Sequence, residues 1–146
     1  MLEKTNLLGA IVAIGFYVLA ILIFVSRLAG KPRIGHFLGY PLFLLAVPLA
    51  YLLLQAPSLQ RPVLYFIQVG LMLAYLAAEA LLDYILKVDF RHVHWMTIAY
   101  VMLFFAGSGG MLGVAALAGR SWSLAAIALF LAMAILAFVQ RAVTGM

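Results

Sequence analysis

Glu79 and Asp83 lie one helical turn apart in the run Pro62–Leu86, which holds no other charged residue. Carboxylates at i and i+4 share a helix face, and in an apolar medium each must be protonated, paired with a cation or hydrated. Such groups can exchange protons, hold a cation or close an ion pair. Their surroundings differ. Asp83 is one turn from Lys87, the spacing of an ordinary helix-end ion pair. Glu79 is about 12 Å along the axis from Lys87, at about 1.5 Å per residue, so its charge calls for a partner on another helix.

On a helix turning about 100° per residue, Arg61, Tyr65, Gln68, Met72, Tyr75, Glu79, Asp83 and Lys87 fall within roughly one third of the circumference. Tyr65, Gln68, Tyr75, Glu79 and Asp83 thus form a predicted polar track that should face the interior of a helix bundle. His36, His92 and His94, with Arg33 and Arg91 and the nearby Arg27, fall at the ends of apolar runs on one side. They outline a vestibule suited to protons or to an anionic head group. Metal ligation is not expected. His92 and His94 point about 200° apart on a helix, and neither His-x-x-x-His nor Glu-x-x-His spacing occurs. No cofactor is predicted, and zero cysteines exclude disulfides, thiolate ligands and cysteine nucleophiles.

The elements that position these groups follow from composition. The chain of 146 residues is 68% hydrophobic and 9% charged, with a mean hydropathy of +1.22. It cannot present the polar surface of a soluble protein. A hydrocarbon core about 30 Å thick takes roughly 20 residues of helix, which divides the sequence into five spans. They cover 6–26, 34–54, 62–86, 94–118 and 121–139. The predicted fold is all-α, a single transmembrane domain of five helices with short loops that force antiparallel neighbours. Pro62, Asp89 and Gly119 suit helix starts and stops beside these breaks. Pro41 and Pro48 should kink the second span. The first span reads as an anchor, because Glu3 and Lys4 cancel ahead of it and Arg27, Lys31 and Arg33 follow it.

The fourth span carries the run from Ala106 to Gly113, whose Ala106, Gly109, Gly110 and Gly113 predict a close helix crossing or dimer seam. Mid-membrane glycines can also line a ligand site through an unwound backbone. The run is no phosphate loop, since no strand precedes it and no Lys-Ser/Thr follows. After Ser123 the fifth span offers alanines and no polar group before Gln140 and Arg141, and reads as scaffold.

Basic residues near span ends set the orientation. One face carries Lys4, Arg61 and Arg120, the other Arg27, Lys31, Arg33, Lys87, Arg91 and Arg141, three against six. The richer face belongs in the cytoplasm, so a multi-pass protein of the cell membrane is expected, with its N-terminus outside and its C-terminus inside. Scattered basic residues suit anionic lipid and form no nucleic-acid patch. In size and layout the chain is similar to the translocator protein family. Only Trp95 and Trp122 are present, however, and that family's Trp-x-Pro motif is absent, so no residue role carries over.

Three functions are compatible with this pattern. A bundle cavity lined by the third span would bind or move a small solute, lipid or proton. A small protein with minimal loops and a glycine-rich seam would serve as a subunit or assembly factor of a larger membrane complex, or as a homo-oligomer. An intramembrane enzyme would use Glu79, Asp83 and the histidines, but no nucleophile-base pair is recognisable, so the reading leans away from catalysis.

Overall fold

The computed structural model describes residues 2–58, 60, 62–81 and 94–144. These form six α-helices: α1 Leu2–Leu28, α2 Pro32–Leu44, α3 Ala46–Gln55, α4 Val63–Glu79, α5 His94–Ala116 and α6 Arg120–Thr144. No strand occurs among the described residues. Four rods are long and apolar enough to cross a membrane: Lys4–Leu28, Arg33–Gln55, Ile98–Ala116 and Arg120–Val143. The expected third span is described as far as Leu81, its α-helical part being the shorter apolar Val63–Glu79. Asp83, Lys87, Asp89, Arg91 and His92, with Arg61, lie outside the described residues.

Local chemistry accounts for the breaks. Helix α1 ends on Gly30 at φ 76, where the Gly30 amide donates to the Arg27 carbonyl (3.1 Å) and the Lys31 amide to that of Ser26 (2.8 Å). This paired closure needs a left-handed residue after the helix, which glycine supplies without a Cβ clash. Helices α2 and α3 form one rod with a defect at Leu45, one turn before Pro48. Pro48 has no amide to offer the Leu44 carbonyl and its ring crowds that group. The Leu45 amide reaches back only three residues, to Leu42, at 3.1 Å. Pro41 lies within α2 without ending it. Of the two expected kinks, Pro48 therefore makes the break. Gly119, at φ 137, turns the chain from α5 into α6.

Helix α1 occupies the centre and packs on α2, α3, α5 and α6, while α4 packs on α5 and α3. Contacts fix the directions. Gly9 faces Val114, Tyr17 reaches Ser108 and Phe24 meets Phe104, so α1 and α5 are antiparallel. Gln68 lies against Gly110 and Tyr75 against Phe104, so α4 and α5 are antiparallel as well. The core is aromatic and small-residue rich, with Ala10, Ala13, Phe16, Tyr17, Met72, Phe104 and Met111 buried. Outward faces carry large apolar side chains such as Phe37, Leu54, Leu64, Ile98, Met102, Leu131, Ile135 and Phe138.

Candidate functional site

The polar face of α4 turns inward. Tyr65, Met72, Tyr75 and Glu79 are buried, and Gln68 is half-buried. Periodicity explains this placement, because these residues share the stripe that meets α5 and α1. Tyr65 is 2% exposed and belongs to the core.

Glu79 closes the α-helical part of α4 and is only 7% exposed. Immediately after it the backbone widens into a π-helical turn at Ala80 and Leu81, a distortion frequent at functional sites. The Tyr75 hydroxyl, one turn earlier, donates to the Glu79 carboxylate at 3.3 Å. The Tyr100 hydroxyl, from α5, donates to the same Oε2. The two hydroxyls are 3.1 Å apart, so carboxylate and phenols form one connected network. Hydrogen bonds to an ionised acceptor are stronger than neutral ones, and two donors on one carboxylate oxygen fit the charged form.

A cavity of about 30 Å³ adjoins this network. A water needs about 10–15 Å³ measured in the same way, so the cavity holds a water-sized group and little more. The walls include Phe16, Phe24, Phe104 and Leu42, and Arg27 reaches it from the last turn of α1. Arg27 is partly exposed and brings a positive charge to the cavity that Glu79 lines. Edge-on rings surround the site: Phe16 meets Tyr75 with centroids 6.0 Å apart, and Tyr75 meets Phe104 at 5.2 Å.

The stripe is not an open track. Between Gln68 and Tyr75, Met72 is fully buried, and Gly107 of α5 lies against the backbone of Leu71 and Met72. Gln68 sits on the far side of this constriction, against Gly110 and Gly113. The glycine seam is correspondingly shifted from the expected face. Gly107, Gly110 and Gly113 face α4, whereas a side chain at Gly109 would meet open space and Ala106 is exposed. Four glycines spread over seven residues offer small faces on several sides, and packing of α4 selects the one through Gly107.

Of the expected vestibule residues, only those on α2 have described side chains. His36 and Arg33 are exposed on α2, with His36 edge-on to Tyr40 at 6.0 Å. His94 begins α5, and Asp83, Arg91 and His92 lie outside the described residues. Among the described residues no group of three or more histidine or acidic side chains could hold a metal. Tyr100 and the aromatic walls escaped the sequence reading. Tyr100 is a phenol in an apolar helix, and that alone does not point to Glu79. No protein-family model, curated protein or solved structure matches the chain.

Proposed function

We propose that the chain is a small polytopic protein of the cell membrane that binds or moves a proton or a water-sized solute at Glu79. Four rods of spanning length and a broad apolar exterior support insertion. The sequence stays largely apolar from Val63 to Leu86, a length that suits a fifth crossing. The excess of basic residues on one face then puts the N-terminus outside and the C-terminus in the cytoplasm.

The carrying observation is the buried Glu79 carboxylate, held by two phenol hydroxyls beside Arg27 around a small cavity. Stability alone requires no ionisable group there, and a carboxylate at membrane depth is a functional group by default. The constriction at Met72 and Gly107 favours a proton or a single small species over a bulky solute.

Glu79→Gln tests the reading, since the amide keeps the size but cannot ionise. In proteoliposomes, proton flux should be lost while yield and melting behaviour persist. Asp83→Asn should reduce flux less. Unchanged flux in Glu79→Gln would refute the reading. If Glu79 is merely a structural partner of Arg27, the same change should instead lower stability, by less than the about 3–5 kcal/mol of a fully buried pair because Arg27 is partly exposed.

A further inference from the structure

Two hollows meet at Tyr100. One is the cavity beside Glu79. The other is an outward-facing groove of about 180 Å³ between α4 and α5, lined by Ala78, Trp95, Met96, Ala99, Tyr100 and Leu103. Tyr100 is half-buried and stands between them, its ring on the groove and its hydroxyl on the Glu79 carboxylate. A rotation of this one side chain would join groove and cavity.

We propose that groove and cavity together form a lateral binding site for a single-chain primary amine, its hydrocarbon chain in the groove and its ammonium on Glu79. The assignment rests on the reading of Glu79 as a binding group. Hydrogen-bond polarity selects the head group. Whatever displaces the Tyr100 hydroxyl from the carboxylate must donate, and an ammonium donates while a carboxylate or carbonyl would set oxygen against oxygen. Size selects it further. A cavity of about 30 Å³ accepts a group about as large as water, which admits –NH₃⁺ and excludes a trimethylammonium. The walls favour a cation, because Phe16, Phe24, Tyr75 and Phe104 surround the carboxylate with aromatic rings.

Arg27 completes the arrangement. Among the described residues it is the positive group lining the cavity, it is partly exposed, and its long stem can carry the guanidinium outward to the head-group level. The ligand ammonium would take its place as the countercharge of Glu79. Arg27 thus competes with the amine, and an acidic amphiphile would need it instead. Among the described residues the groove is lined by apolar side chains and by the rings of Tyr100 and Trp95, as a hydrocarbon chain requires.

Trp95 provides the readout. In the full chain carrying Trp122→Phe, which removes the indole at the opposite end of the bundle, 11-bromoundecylamine is added to phosphatidylcholine nanodiscs and Trp95 fluorescence is followed. Saturable quenching is expected, weakened at least about tenfold in Glu79→Gln, as loss of a charge-assisted hydrogen bond demands. Arg27→Gln should tighten binding. Ala99→Phe, at an exposed position that fills the groove, should abolish saturation even if Glu79→Gln fails to fold. Non-saturable quenching, equal quenching in Glu79→Gln, or saturation by 11-bromoundecanoate that Arg27→Gln removes would each overturn the amine assignment. Proton flux that still depends on Glu79 in those circumstances would leave the Glu79 reading standing and sink the amine alone.

Discussion

Replacing glycine by alanine at two positions of α5, only two residues apart, should move stability in opposite directions. A Cβ at Gly107 would lie 3.2 Å from the Leu71 carbonyl oxygen, 3.3 Å from Met72 Cα and 3.4 Å from Leu71 C. All three are backbone atoms of α4, so relief requires the helices to part and not merely a rotamer change. Overpacking of this kind costs about 1–3 kcal/mol, against a gain of about 1 kcal/mol for alanine over glycine in a helix interior. Gly107→Ala should therefore be neutral to about 2 kcal/mol less stable than wild type. At Gly109 a Cβ meets nothing within 4 Å, so Gly109→Ala keeps the whole gain of about 1 kcal/mol. The two variants differ by the overpacking term alone, about 1–3 kcal/mol, or several degrees in Tm for a chain of this size. Thermal unfolding in one detergent, followed by tryptophan fluorescence, should rank Gly109→Ala above Gly107→Ala, with wild type no lower than the latter. Equal melting, or Gly107→Ala as the more stable of the pair, would refute a seam through Gly107.

Tyr100→Phe removes a donor to Glu79 and should cost about 1.5–3 kcal/mol if the carboxylate is ionised, measured by unfolding at neutral pH. Tyr17→Phe loses the hydroxyl that donates to the Ser108 carbonyl at 2.5 Å; it should cost about 1 kcal/mol in the same assay and leave Glu79-dependent flux untouched. Single cysteines at Ser58 and Ala29, both exposed, test the orientation. An impermeant thiol reagent applied outside intact cells should label the first and spare the second, and the reverse pattern would invert the topology.

What the sequence makes legible here is periodic. Tyr65, Tyr75 and Glu79 recur at helical spacing, so their common burial on one face of α4 follows from the helix repeat. Breaks at Gly30 and Gly119 follow from turn chemistry at positive φ. The phase of the α5 seam is not legible, because Gly107, Gly109, Gly110 and Gly113 leave several faces small and the choice belongs to α4. Nor is the Tyr100 hydroxyl on Glu79, since a contact between two helices depends on their mutual register, which no single helix encodes. The Pro48 break lies between these cases. The residue marks it, but the opening is displaced to Leu45 because the missing bond belongs to the carbonyl four residues earlier.

The central position of α1 imposes an order on biogenesis. Its partners come largely from far along the chain: Tyr17 and Ser108, for example, are 91 residues apart. Synthesis of α1 is therefore long complete before α5 and α6 exist to cover it. During that interval Phe16, Tyr17 and Ala20, all buried in the finished bundle, present a bare inner face. Contacts this distant in sequence close late and slow the final step of folding. A chain halted before α5 would display that face, with the Tyr17 hydroxyl lacking its Ser108 acceptor, to whatever surveys unfinished membrane segments. Truncations in α5 should accordingly be cleared faster than truncations within the last turns of α6.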